Sequence, residues 1–406
     1  MDVLNAVQQH AALNGQPPYE EYLHPAISAR GEPYMMRVPT VFLPWDQKQG
    51  IIALRRKDRQ IAICRCGVVL AGIYLQLPTA TQMQIPVALK AMDRAQVIEQ
   101  KDDIENEIRV MSQLQPRGVD SPLSNAHMIR WEYGSDSFNE YIATEFIANG
   151  SLVSYAHKKI RMLMVKHLHE FVAKHGEGPT KLECVSYVYR GAGHEWMRES
   201  IKIFEGIMRG LTYLHAQDVA HLDLDIYNVA IDKEHTARII DLGSSQLMDH
   251  NGIAGAGHVG IKCKPVFVAP EVRSHAKIPP PRPGFDGAKA DLWSAGVILV
   301  QCIVWGFRGG PSYLTSNPRW RKEVFTHIDA ACNHETCHLC ENFITIPPLI
   351  GVIIKQLLHL DPRQRPSAFE VARALRDNPQ LLLFAPPPLP STRAVRQPVE
   401  QNTTTS

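Results

Sequence analysis

The stretch "VAHLDLDIYNVAI", residues 219 to 231, sets Asp223, Asp225 and Asn228 between apolar flanks. A carboxylate taken out of water without a partner is costly or loses its charge, so a hydrophobic segment that keeps two of them has a chemical use for them. "IIDLG", residues 239 to 243, follows closely and brings Asp241. Asn228 and Asp241 thus offer, from two separate loops, the hard oxygen donors that Mg²⁺ prefers, and such an ion commonly shares its coordination with a nucleotide's phosphates. Upstream, "IPVALKAM" reads as a strand that carries Lys90 among apolar neighbours, and the helical segment after it carries Glu107 in "ENEIRVMSQL". A strand lysine held by a helix glutamate fixes an ammonium against phosphate oxygens.

These residues need a scaffold with two kinds of element. From "RQIAICRCGVVLAGIYLQL" to "EYIATEF" the segments are short, β-branched and separated by polar turns, with one helical interruption, "AQVIEQKDDIENEIRVMSQL". After "ANGSLVSYA" the pattern changes to helical runs, including "HEWMRESIKIFEGIMRGLTYLHAQ", "DLWSAGVILVQCIVW" and "PPLIGVIIKQLLHL". The expected organisation is an extension over residues 1–58, a β-rich lobe over 59–147 and a mainly helical lobe over 148–378. The span 158–195 is longer than a connection between neighbouring helices needs and is expected as a surface insertion. Residues 379–406 are Pro-rich, then polar, and expected to be disordered or partly polyproline II.

Composition narrows the function classes. The 406 residues are 45% hydrophobic, enough for a large core, and 43 basic against 41 acidic residues leave a net charge of +2. That balance gives no electrostatic argument for nucleic acid or an anionic membrane as the main partner. The amino terminus lacks a basic segment followed by an apolar core, so it does not read as a secretory signal. The longest apolar stretch, "SAGVILVQCIVWGF", is too short to span a bilayer and contains Gln301. Eight cysteines, mostly scattered singly, fit a reducing compartment, and a soluble cytoplasmic protein is expected.

In its motifs and their order the chain resembles the protein-kinase family over roughly residues 59 to 378. "VALK" is similar to that family's Val-Ala-Ile-Lys, "HLDLDIYN" to its catalytic loop and "DLG" to Asp-Phe-Gly, and "VAPE", "DLWSAG" and "DPRQRP" follow in the family's order. The resemblance implies a bilobal α+β fold with a small antiparallel sheet, one long helix and a mainly helical second lobe. It implies ATP and Mg²⁺ as cofactors and protein substrates. Lys90 and Glu107 would position phosphates, Asp223 would be the base, and Asn228 and Asp241 the metal ligands. Glu271 would pair with Arg365, and Asp291 would brace the catalytic loop. In "YIATEFIANGSL" Thr144 would be the gatekeeper and the backbone of Glu145, Phe146 and Ile147 would meet adenine. Gly67 belongs to the glycine-rich loop, Val69 and Ala88 to the adenine ceiling, and Ala230 to its floor. Ser/Thr acceptors are favoured over Tyr, because neither the catalytic loop nor "KCKPVFVAPE" carries the marks of the tyrosine branch.

Three departures keep a second reading open. The first two glycines of the family's phosphate loop fall on Ala62 and Cys64, and side chains there should reshape the cover over the phosphates. The arginine before the catalytic aspartate is Leu222, and the segment from Asp241 to Glu271 offers only Ser244 and Ser245 as hydroxyl acceptors. Activity is therefore expected not to depend on phosphorylation there. The lysine that Ser/Thr-specific members place two residues after the base is Asp225, and the later loop's threonine falls on Lys264, as if the pair were exchanged. The alternative to a transferase is a pseudokinase that binds nucleotide or partners without transfer. Cys64 and Cys66 are expected to be inert rather than reactive thiols. The Cys/His cluster between His327 and Cys340 matches no dependable zinc spacing. "PPPRP" (Pro279 to Pro283) and "PPPLP" (Pro386 to Pro390, in the tail) are candidate ligands for a polyproline-binding partner.

Overall fold

Alternating apolar residues build the first half of the chain into strands, since a period of two turns one face of each strand inward. The computed structural model describes residues 21–28, 30–39, 50–54, 60–76, 84–100, 104–114, 131–176, 180–255, 264–279, 282–305, 319–332 and 346–383. A hairpin of β1 (Glu21–Ile27) and β2 (Pro33–Pro39) comes first. Then β3 (Gly50–Leu54), β4 (Gln60–Cys64), β5 (Gly67–Gln76), β6 (Gln84–Asp93), β7 (Trp131–Ser135) and β8 (Asn139–Glu145) form one antiparallel sheet. Its order is β3-β5-β6-β8-β7, with β4 also pairing with β5.

The sheet has two apolar faces, and each is covered. Val68, Leu70, Val87, Leu89, Ala91, Tyr141 and Ala143 point to one face and are buried beneath Ala26, Met36 and Val38 of the hairpin. So part of the amino-terminal extension, the β1–β2 hairpin, is a packed cover, while β3 of the same extension pairs with β5 in the sheet. Asn139 clasps it, donating its side-chain amide to the Arg37 carbonyl at 2.9 Å. Gly67 lies directly under this cover: a side-chain carbon there would fall 2.0 Å from the Ala91 carbonyl oxygen and 3.1 Å from Met36 Sδ. The alternate residues Val69, Ala88, Lys90, Ile142 and Thr144 therefore face the other way, because a strand's parity leaves them no choice.

One long helix is expected over residues 95–114, and the chain forms two there. Helix α1 (Arg94–Gln100) buries none of its side chains, while α2 (Ile104–Gln113) buries Ile104, Glu107, Val110 and Met111. Residues 101–103, between the two helices, lie outside the described residues.

The second lobe is helical. Helix α3 (Leu152–His175) is capped by Ser151, and α4 (Lys181–Ala216) opens on a capping box between Thr180 and Glu183. The described residues of the span 158–195 continue α3 and α4 into a helical hairpin, held by Leu163, Phe171, Val188 and Ala192 on the facing sides. Further on come α5 (Pro270–Ala276), α6 (Gly287–Trp305), α7 (Trp320–Cys332), α8 (Pro348–Leu357) and α9 (Ala368–Arg376). Helix α6 is apolar on nearly all sides and lies at the centre, where Trp196 of α4 donates its indole N–H to the Cys302 carbonyl at 2.6 Å. Arg365 is wholly buried and forks onto Glu271 at 2.6 and 2.9 Å, the pair expected from the sequence.

Among the described residues no helix is long and apolar enough to cross a membrane. Cys64, Cys66, Cys184, Cys302 and Cys332 are free thiols. Most of the cluster from His327 to Cys340, the proline stretch at Pro280 and Pro281, and the tail from 384 lie outside the described residues.

Two outcomes follow from this packing. Met36→Ala should lower stability by about 2 to 5 kcal/mol, the usual range for emptying a buried Met site, as read by urea denaturation. His194, buried in α4, is pushed down to about 4 by burial, against the hydrogen bond it donates to the Arg190 carbonyl. The unfolded chain therefore binds this proton more readily than the folded one, and stability must fall as the pH drops from about 6.5 towards 4. Melting temperatures across that window should decline less steeply in His194→Gln.

Candidate active site

Lys90 faces the cleft between the lobes because of its parity in β6. Its Nζ lies 3.0 and 3.2 Å from the two carboxylate oxygens of Glu107 on α2, and 3.2 Å from Asp241 Oδ1 of the second lobe. Burial works against the ammonium's charge, but Asp241 and Glu107 outweigh it and raise Lys90 well above the ordinary lysine value. The same Lys90 charge holds the Asp241 carboxyl below its usual range. Gly243 follows Asp241 with no room to spare: a side-chain carbon there would sit 3.2 Å from both Asp241 Oδ1 and Glu107 Oε2. Asp241 itself takes a left-handed φ of 62°, which only a tightly specified loop retains in a residue with a side chain.

The catalytic loop lies between β9 (Val219–Ala220) and β10 (Val229–Ile231), and Asp241 follows β11 (Ala237–Ile239), which pairs with β10. Leu222 is strained at φ 59°. The fully buried Asp291 of α6 offsets that strain: its two oxygens accept the backbone N–H groups of His221 and Leu222, each at 2.8 Å, and also bond His215 at 2.9 Å. This is the bracing expected of Asp291. His221 donates from Nε2 to the Ile240 carbonyl at 3.1 Å and accepts the Asp223 N–H at Nδ1, 3.3 Å away, which ties the two loops together.

Asn228 turns its amide nitrogen to the loop, donating to the Asp223 carbonyl at 2.8 Å. That directs its oxygen, the ligand-capable end, away from the loop backbone. Asp223, Asn228 and Asp241 all line one cleft of about 730 Å³ with Lys90 and Glu107. Asp225 points elsewhere. It is wholly buried, one oxygen accepts the N–H groups of Tyr227 at 2.7 Å and Asn228 at 3.0 Å, and the other is ion-paired with Lys264. The exchanged pair expected from spacing is therefore formed.

The deeper cleft wall is apolar. Val69, Ala88, Thr144, Glu145, Phe146, Ile147 and Ala230 all line it, with Thr144 opposite Ala88 in the β6–β8 register. The Phe146 N–H is donated to the Pro86 carbonyl and the Ile147 carbonyl accepts from Gly150, each at 3.1 Å, so those two backbone groups are already engaged by the fold. Gly67 is not among the cleft's lining residues; its place is the close approach under Met36. Ala62 and Cys64, which share a strand face, do line it. Burial pushes the Cys64 thiol up to about 11, so it is not a thiolate at neutral pH, and Cys66 is buried. Arg65, at the tip of the β4–β5 turn, and Tyr227 also line the cleft, and neither stands out in the sequence. Arg65 is tied to Gln100 of α1 by two hydrogen bonds of 2.6 and 2.7 Å.

Leu222 and its surroundings explain the missing arginine. Leu222 packs on an apolar cluster of Ala220, Met248 and Ala254, beside Phe285. Short β-pairings hold the segment after Asp241: β12 (Gln246–Leu247) on β9 and β13 (Ile253–Ala254) on β14 (Phe285–Asp286). Ser245 is wholly buried and donates its hydroxyl to the His221 carbonyl at 3.3 Å.

The donor set suits Mg²⁺ and a nucleotide. The apolar wall takes a flat base, and Lys90 is a fixed cation for phosphate. Asn228 and Asp241 are oxygen donors. Among the described residues no three His, Cys, Asp or Glu side chains could hold a metal on their own. An ion at Asn228 and Asp241 would complete its shell with phosphate oxygens.

The model of the protein kinase domain matches residues 74–375. Among curated relatives, CBL-interacting serine/threonine-protein kinase 17 of Arabidopsis thaliana is 35% identical over 155 residues, covering 35% of this chain and 34% of that protein. CBL-interacting serine/threonine-protein kinase 1 of the same plant is 33% identical over 157 residues, 35% of this chain and 33% of its own. CBL-interacting protein kinase 25 of Oryza sativa subsp. japonica is 30% identical over 173 residues, 39% and 30% of the two chains. The chain thus spans about a third of the length of the curated relatives it matches.

The Asp291 brace has a measurable consequence. Asp291→Asn keeps the shape but loses the charge that holds two N–H groups, and buried hydrogen bonds to a charged group are worth about 1.5 to 3 kcal/mol each. The variant should melt several degrees lower, with faster amide exchange at His221 and Leu222 than at residues of β6.

Proposed function

Because the chain belongs to the protein kinase domain family, we propose that it transfers the γ-phosphoryl group of ATP to serine or threonine hydroxyls of protein substrates. The observation that carries the reading is the closed contact of Lys90 with both Glu107 and Asp241, in one cleft with Asp223 and Asn228. Lys90 would orient the phosphates, and Asn228 and Asp241 would hold Mg²⁺. The ion, when bound, would neutralise phosphate charge. The acceptor oxygen would attack the γ-phosphorus, the bond to the ADP oxygen would break, and the hydroxyl proton would pass to the Asp223 carboxylate. Val69, Ala88 and Ala230 would sandwich adenine, with Thr144 behind it and the backbone from Glu145 to Ile147 at its edge. Gly67 would act only by shaping the hairpin above.

The wording "serine/threonine" in the relatives' names supports that acceptor class. Ser245 is buried and Leu222 sits in an apolar cluster where an arginine would have met a phosphate, which supports activity without phosphorylation of this segment. Free thiols support a cytoplasmic setting. The pseudokinase alternative rests on Ala62, Cys64, Leu222 and Asp225, of which Ala62 and Cys64 line the cleft. A scaffold would have no chemical reason to keep Lys90, Glu107, Asp223, Asn228 and Asp241 converging on one cleft.

Transfer from labelled ATP with Mg²⁺ to a generic protein substrate tests this directly. Intact protein should show turnover, and Asp223→Asn and Lys90→Ala should each lower it by about 100-fold or more. Folded, nucleotide-binding protein with no turnover on any of several substrates would favour the pseudokinase.

A further inference from the structure

Asp225 has zero exposure and Lys264 is half exposed, yet they form an ion pair. The carboxylate is fixed by the loop it braces. Oδ1 accepts the Tyr227 and Asn228 N–H groups. Oδ2 turns to a different partner, the ammonium of Lys264. The ammonium also lies over the Tyr227 ring, 4.4 Å from its centroid, so two separate contacts set its position. Lys264 and Tyr227 both line the cleft that contains Asp223 and Asn228. The N–H groups account for the carboxylate, but they do not account for a cation beside it, since a buried ion pair seldom adds net stability.

We propose that Lys264 is a catalytic residue whose ammonium contacts the transferring phosphoryl group, with Asp225 as the positioning residue that presents it. The proposal rests on the kinase reading above. Lys264 forms no covalent bond and gives up no proton; it is a fixed cation beside the oxygens that carry charge as the phosphoryl group leaves ATP for the acceptor and ADP is released. Preorganisation makes it effective, because its attachment to Asp225 leaves little rearrangement for the reaction to require. The cation thus comes from the segment preceding α5 rather than from the catalytic loop. Occupation of the site by that segment becomes a condition for transfer.

Three substitutions and two readouts test this: Lys264→Ala, the double change Asp225→Asn with Lys264→Ala, and the inverted pair Asp225→Lys with Lys264→Thr. The readouts are kcat and the ratio of MgATP to MgADP affinity by titration calorimetry, with melting temperature as the control for folding. Lys264→Ala should lower kcat about 100-fold. Its preference for MgATP over MgADP should fall by about 10-fold, since only ATP carries the group contacted. The Asn/Ala double change removes the buried charge without restoring a cation, so both losses should persist, while the inverted pair should regain most of the transfer. Recovery of both quantities in the Asn/Ala variant would mean that Lys264 merely neutralises Asp225, and would overturn the proposal. Turnover by intact protein with an unchanged nucleotide ratio in Lys264→Ala would defeat the Lys264 assignment alone. An intact chain that transfers nothing, yet loses its ATP preference on Lys264→Ala, would defeat the transfer reading and uphold the contact.

Discussion

One ammonium joins three parts of this chain. Lys90 stands on a strand of the first lobe, takes Glu107 from a helix of the same lobe and reaches Asp241 on a loop of the second. An ammonium away from bulk water needs those carboxylates, and each of them needs it in turn, so the relation of the two lobes is set by charge neutrality as much as by apolar packing. Displacing α2 outward would leave Lys90 with half its partners and Glu107, almost fully buried, with none of the charge it faces.

Buried carboxylates recur as braces for backbone that would not otherwise hold its shape. Asp291 restrains the strained Leu222, Asp225 collects two consecutive N–H groups, and Glu271 takes the fork of Arg365. Asp291 and Glu271 lie far in sequence from the groups they hold, while Asp225 takes N–H groups two and three residues further on. Loops that must be irregular to present Asp223, Asn228 and Asp241 to one point cannot satisfy their own N–H groups by helix or sheet ladders. The carboxylates satisfy them instead, and α6, apolar on nearly all sides, supplies Asp291 from the buried centre of the second lobe.

Apolar contacts take over where charge is absent. Leu222 rests on Ala220, Met248 and Ala254, and the segment after Asp241 is held by two short ladders and the buried hydroxyl of Ser245. At the other end of the site, Ala62 and Cys64 bring side chains where bare backbone would approach phosphate, while Arg65 adds a cation at the tip of the same turn.

The sequence by itself determined which residues would meet. Lys90, Glu107, Asp223, Asn228 and Asp241 were legible because each sits in a short motif whose spacing follows from its chemistry, and strand parity already turned Lys90 to the face opposite Leu89. Glu271 with Arg365 and Asp225 with Lys264 were legible only through the resemblance, as positions counted along the family's motifs. Tertiary structure alone decided what covers each face. Nothing in the period of β1 and β2 says that Met36 and Val38 would close the outer face of the sheet, or that Gly67 would be required beneath them rather than at the phosphates. Nor does helical periodicity over 158–195 separate an insertion from two lengthened helices. Periodicity records that a face is buried; what it is buried against depends on contacts between segments distant in sequence, and those form only when the whole chain has folded.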